Sequence, residues 1–143
     1  MTGIQFPDLE LQLGPVLRAR LASFEPLVVS REFPAPGWAP GQPVEGADSS
    51  FRPRFWIVIR DDGGPELMVT AQPRLGFNVI GAAYDETGDL ARRLAALLQA
   101  LPELCLLPIA DATVRSPYSL GATDRAEFYL TAELVVVGRP VNL

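Results

Sequence analysis

The chain has 143 residues, 48% hydrophobic and 20% charged, enough for one domain around a single core and too little for two ordinary ones. Seventeen acids face twelve cations for a net charge of -5, all twelve cations are arginine, and there is no histidine and one cysteine, Cys105. This composition excludes histidine relays and His-rich zinc or non-haem iron sites, Schiff-base and P-loop lysines, and internal disulfides or multi-thiolate metal sites.

The acidic balance argues against gripping nucleic acid by broad phosphate neutralisation. The opening segment MTGIQFPDLELQLG lacks the cationic region and apolar stretch of an export signal, and no window reaches the length of a membrane span, so neither export nor membrane insertion is expected. A reducing cytoplasm suits a chain with one thiol.

From Pro7 to Phe24, Leu9, Leu13, Val16, Leu17 and Leu21 recur at three- and four-residue steps, which predicts an amphipathic helix. Asp8 falls in its first turn and Arg18 and Arg20 in its last, complementing the helix dipole, while Pro15 either kinks it or marks a later start. Leu27 to Ser30 reads as a short strand. Residues 32 to 54 hold five prolines and three glycines, too many for regular structure, and form an arm or loop. The plain reading is a mobile surface loop; Trp38 and Phe51, however, are large apolar groups that a solvated loop has little reason to carry, and the alternative is that a partner surface covers them.

FWIVIR, residues 55 to 60, reads as a strand buried on both faces, and DDGGPE after it as a compact hairpin turn. Leu67 to Gly81 predicts the returning strand, interrupted at Pro73 by an edge position or bulge. Asp85 or Thr87 caps a second helix with Leu90, Leu94, Leu97, Leu98 and Leu101 on one stripe, Arg92, Arg93 and Gln99 pointing away, and Pro102 as its end. Ala112 to Arg115 is a further strand, Ser116 to Asp124 a turn-rich connection. In EFYLTAELVVV, Phe128, Leu130, Ala132, Leu134 and Val136 alternate with Glu127, Tyr129, Thr131 and Glu133, the clearest strand pattern in the chain. The order predicts a single α+β domain over 1–143, a mostly antiparallel sheet with two α-helices packed on one face. The opposite face then carries Tyr129, Thr131 and Glu133 towards solvent or another subunit.

No catalytic constellation, metal set or cofactor motif emerges. Asp61 and Asp62 with Glu66 could bind a divalent ion, but Asp-Asp-Gly-Gly is also what a tight turn requires, and the turn outweighs the metal. Glu127 and Glu133 lie roughly 20 Å apart along an extended strand, too far for a catalytic carboxylate pair. Arg92 and Arg93 suit a phosphate, a carboxylate on a neighbouring subunit, or water. Cys105, among leucines, reads as a small buried hydrophobe. The groups left for contact with a subunit or partner are Trp38, Phe51, Arg52, Arg54, Asp61, Asp62, Arg92, Arg93, Tyr129 and Glu133.

The segments FPDLELQLGPVLRARL, FWIVIRDDGGPE, RLGFNVIGAAYDETGDLARRLAALLQALP, VRSPYS and FYLTAELVVVGRP together resemble the tail terminator, or tail-completion, proteins of long-tailed bacteriophages, especially those of actinobacterial hosts. The resemblance covers most of the chain in the family's order, with Arg74 to Leu101 and the final strand its most specific part. It implies a non-enzymatic structural subunit of the virion, assembled in the host cytoplasm, that forms a homo-oligomeric ring, usually a hexamer, at the head-proximal end of the tail tube. Such a ring contacts the tail tube protein, stops tube growth and offers a surface to the head-tail connector or neck proteins; if it surrounds the DNA exit path, the net negative charge is compatible with genomic DNA passing through without specific binding. The arm at 32 to 54 is longer and richer in proline than the family leads one to expect.

Two alternatives remain open at this level, a head-to-tail connector and a monomeric protein-binding module that uses the aromatic arm. A closed ring needs two different, complementary patches on each copy. Arginine's planar fork suits carboxylate pairing between subunits, although GC-rich codon usage accounts for the missing lysines equally well.

Overall fold

The computed structural model of the chain describes residues 1–121 and 124–143. Strand β1 (Thr2–Gln5) leads into helix α1 (Leu9–Arg20), which a 3-10 turn (Ala22–Phe24) connects to β2 (Leu27–Ser30). After the arm come β3 (Phe55–Asp61), the short β4 (Thr70–Ala71), β5 (Arg74–Gly81) and helix α2 (Tyr84–Leu104). The chain closes with β6 (Ile109–Val114), β7 (Tyr118–Ser119), β8 (Ala126–Val137) and β9 (Arg139–Asn142).

Helix α1 begins one residue after Asp8, whose carboxylate accepts the Leu11 N–H at 3.2 Å as its N-cap. Pro15 sits inside the helix, which runs through it. Leu9, Leu13, Leu17 and Leu21 step along one stripe and are buried. Helix α2 has no side-chain cap; instead the Thr87 hydroxyl donates to the Ala83 carbonyl at 2.6 Å, and Asp85 and Glu86 occupy its positive end. Pro102 does not end it. The helix continues to Leu104, which packs on the core one turn beyond Leu101, and it stops where Cys105 turns left-handed at φ 54°. Cys105 is exposed, contrary to the buried position expected of it.

The main sheet has seven strands. β2 runs parallel to β3, β3 antiparallel to β5, and β5 antiparallel to β8 in long register, Arg74 opposite Glu133 through Gly81 opposite Ala126. Val136 pairs with Ala71 of β4 and with Ile109 of β6, and Tyr129 pairs with Asn78 of β5 and with Tyr118 of β7. β4 therefore continues the β5 side of β8, while β6 and β7 form the far edge and β2 the near one. β1 and β9 make a separate antiparallel pair. Neither this pair nor β7 is expected from the sequence; of the predicted connection at 116–124, residues 122–123 lie outside the described residues.

Both helices pack on one face of the sheet, α1 over β2 and β3 and α2 over β5, β6 and β8. Phe55, Ile57, Ile59, Leu75, Phe77, Val79, Phe128, Leu130, Ala132, Leu134 and Val136 meet the helix leucines there and form the main core of this α+β architecture.

The connection between β3 and β5 corrects the expected turn. Asp62 N–H donates to the Arg74 carbonyl and Arg74 N–H to the Gly63 carbonyl, but the ribbon then continues, with Gln72 N–H on Pro65 and Leu67 N–H on Thr70. The tip is Met68–Val69, and Asp-Asp-Gly-Gly is a kink within the ribbon. Gly63 takes φ 79°, and a Cβ on Gly64 would overlap the Gln72 carbonyl. Residues 67–69 lie outside the strands, and the break expected at Pro73 separates β4 from β5.

Candidate functional site

On the face opposite the helices, alternation brings forward Val28 and Ser30 of β2, Trp56, Val58 and Arg60 of β3, Arg74, Gly76, Asn78 and Ile80 of β5, and Glu127, Tyr129, Thr131, Glu133 and Val135 of β8. This face has an apolar half near β2 and a polar half near β6.

The apolar half is where the arm lies. Parallel strands cannot be joined by a tight turn, so the chain from β2 must cross back to the start of β3, and it does so as the irregular segment 31–54, over the face the helices leave free. Trp38 packs edge-on against Trp56, centroids 5.2 Å apart, and with Val58 and Ile80 forms a second, smaller core that Val28 and Val44 flank. The indole N–H of Trp56 donates to the Glu32 carbonyl at 2.9 Å and that of Trp38 to the Gln42 carbonyl at 3.1 Å. Trp38 is 9% exposed, so the expectation that a partner covers it is corrected: the chain's own sheet does. Phe51 is half-buried. The far end of the arm is tied by Arg54, whose guanidinium donates twice to the Glu25 carbonyl, at 3.0 and 3.3 Å, and stacks over the Phe55 ring. Arg52 is exposed beside it.

Within the arm, the N–H and hydroxyl of Ser50 both donate to the Asp48 carboxylate at 2.9 Å. The backbone N–H first, then the hydroxyl, hold this carboxyl below the ordinary aspartate range.

The polar half holds Tyr129 and Glu133 together with two residues the sequence did not single out, Arg60 and Arg74. Arg60 donates to the Tyr129 hydroxyl at 3.3 Å and lies over its ring, and Tyr118 meets the same ring edge-on. Arg74 Nη2 stands 2.7 Å from Glu133 Oε1, with Nε 3.2 Å from the same oxygen. Beside this pair a groove of about 500 Å³ carries Asp62, Asp111 and Glu133 against the single cation Arg74. Asp61 is consumed in the fold: its N–H donates to Glu10 and its carboxylate accepts the Gly63 N–H, a local bond that holds the kink rather than a hairpin tip.

Asn78, between the two halves, is 6% exposed and donates to Glu127 at 3.3 Å. Arg92 and Arg93 are on the other side of the molecule, on the outer face of α2, where Arg92 pairs with Asp89 at 3.0 Å. The predicted contact residues thus fall into three groups: the arm (Trp38, Phe51, Arg52, Arg54), the polar sheet face (Asp62, Tyr129, Glu133, with Asp61 at its edge) and the α2 ridge (Arg92, Arg93). The residues are suited to recognition by shape and charge. No protein-family model matches the chain, and no curated protein matches it. Among the described residues, no helix is long and apolar enough to cross a membrane.

Proposed function

We propose that the chain is a structural virion subunit that forms a ring at the head-proximal end of a phage tail tube, ends tube polymerisation and presents a surface for head joining. The observation that carries this reading is a sheet closed on one side by two helices and, on the other, covered by the arm over its apolar half and uncovered over its polar half, where Arg60, Tyr129, Arg74 and Glu133 lie across three strands. Such a face is built to meet another protein surface, and strands hold it more rigidly than loops would. The resemblance of the sequence to tail terminators supplies the partner. The activity is assembly rather than catalysis, the ring assembles in the host cytoplasm, and the net charge of -5 suits a lumen through which DNA slides without being held. The reading of the arm as a free binding strap has less support, because Trp38 is folded into the chain's own second core.

The test is to mix purified protein with isolated tail tubes and free tube subunits and to image the product in negative stain. Docking at one tube end with no further elongation is the expected result. Docking to DNA-filled heads but not to tubes moves the subunit to the neck, and docking to neither removes the reading.

A further inference from the structure

We propose that copies of the chain join head to tail, the local arginine patch of Arg92 and Arg93 on α2 and Arg115 after β6 on one copy seating in the aromatic, acidic groove under the arm of the next. The inference rests on the ring reading and deepens it by naming the two surfaces that meet.

The groove, about 760 Å³, lies between the arm and the β2 edge of the sheet. Its walls are aromatic, from Phe33, Trp38, Phe51 and Trp56, and Phe33 remains 47% exposed. Its charged lining residues are Glu32 and Glu45, both exposed, and no arginine lines it. Aromatic faces backed by carboxylates are the surroundings a guanidinium prefers, since it can stack on a ring while its fork meets an acid. Every cationic side chain in this protein is an arginine.

The complementary surface is on the same chain. Arg92, Arg93 and Arg115 are exposed, and Arg92 and Arg115 line one shallow depression of about 230 Å³ between α2 and the segment after β6. Asp89 pairs with Arg92, which leaves Arg93 and Arg115 as the cations of this patch without an acid partner among the described residues; the exposed acids Asp85, Glu86 and Glu103 lie towards the two ends of α2. The other groove of the sheet face sets Asp62, Asp111 and Glu133 against Arg74 and so carries the same net charge as Glu32 with Glu45, but no aromatic side chain lines it for a guanidinium to stack on, and Glu133 is already bonded to Arg74.

Placement decides the geometry. The arm groove is at the β2 edge on the helix-free face, and the ridge is on the helix side near β6 at the opposite edge. The two patches of one copy cannot reach each other. Each must meet the other patch on a different copy, which is the heterologous arrangement that yields a ring when the rotation closes.

The test uses charge reversal on the full chain. A groove variant carries Glu32→Arg with Glu45→Arg, and a ridge variant carries Arg93→Glu with Arg115→Glu. Thermal melts first confirm that these exposed positions leave the fold intact. Sedimentation should show each variant alone self-associating at least about tenfold more weakly than wild type, because like charges now face each other. A one-to-one mixture should recover assembly, since each altered patch meets its complement, and a single chain carrying all four reversals should recover it as well. Wild type that stays monomeric to its solubility limit, reversals with no effect, or a mixture and a fourfold variant that both stay apart would each overturn the proposal. Restored rings that fail to cap tail tubes would leave this interface standing and remove the tail reading, whereas capping by wild type with indifferent reversals would do the opposite.

Discussion

Trp38 and Trp56 meet edge to face, ring centroids 5.2 Å apart and planes at 63°, and through that contact the proline-rich arm becomes part of the fold. The contact sits over Val58 and Ile80, on the face that neither helix reaches. Truncation at Trp38 should therefore loosen the arm first. Trp38→Ala is expected to cost about 3 kcal/mol in urea unfolding and to open segment 31–54 to limited proteolysis, with cleavage confined to the arm at low protease. Unchanged proteolysis would mean that other contacts hold the arm.

Gly81 ends β5 where the strand passes under the start of α2. A Cβ there would overlap the Thr87 hydroxyl and the Phe55 ring, both packed and unable to withdraw freely. Gly81→Ala should destabilise by about 2 kcal/mol, whereas Gly14→Ala, where a Cβ meets nothing, should be neutral or slightly stabilising through helix propensity. Chemical denaturation of the two variants side by side checks the contrast.

These positions also show which parts of the fold a reader of the sequence can recover. The alternation in β8 and the leucine stripes of both helices are legible because burial on one face imposes a period. The hairpin was misplaced because its strongest turn chemistry, Asp-Asp-Gly-Gly, serves a kink, while the real tip, Met68–Val69, carries no turn signature and is exposed. α2 runs past the predicted stop because Leu104, beyond Pro102, still packs on the core, which outweighs the hydrogen bond Pro102 lacks. β1, β7 and β9 are short, and their pairing depends on partners distant in the sequence.

In the candidate site, Tyr129 and Glu133 could be read from β8 alone. Arg60 and Arg74 could not, because reading FWIVIR as buried on both faces hid the face that Arg60 shares with Trp56 and Val58, and Arg74 is placed only by its register against Glu133.

The Arg74–Glu133 pair is short but exposed, with side chains 59% and 50% accessible. Solvent screening keeps such pairs below about 1 kcal/mol. Glu133→Gln is thus expected to leave thermal stability nearly unchanged, and a double-mutant cycle with Arg74→Gln should give a coupling under about 1 kcal/mol. If the polar sheet face contacts tube or neighbour, the same substitution should weaken tube capping far more than folding.

Asp48 offers a pH-dependent reporter of arm structure. Its carboxyl is held below the ordinary aspartate range by the two Ser50 donors, so the folded value is lower than the unfolded one. The stabilisation it contributes is complete above the unfolded value and disappears as pH falls through the folded one. A carbon-detected titration should place the Asp48 midpoint below that of unperturbed aspartates, and Ser50→Ala, which removes the hydroxyl but keeps the backbone N–H, should move it only part of the way back up. A midpoint indifferent to Ser50→Ala would show that the hydroxyl is not engaged in solution, and one at the ordinary aspartate value in the wild type would show the same of both donors.

Cys105 closes α2 in the left-handed region at φ 54°, where a side chain costs energy that glycine avoids. Helices that end this way usually place glycine there. Cys105→Gly should accordingly raise stability by about 0.5–1 kcal/mol, the relief of strain exceeding the greater freedom glycine gives the unfolded chain. The thiol makes only a long contact to the Pro102 carbonyl, at 3.7 Å, so little is lost with it. Because Cys105 is exposed, the wild-type protein should also react with an aromatic disulfide at nearly the rate of an unfolded thiol. Slow labelling together with a destabilised glycine variant would mean that the sulfur is packed after all.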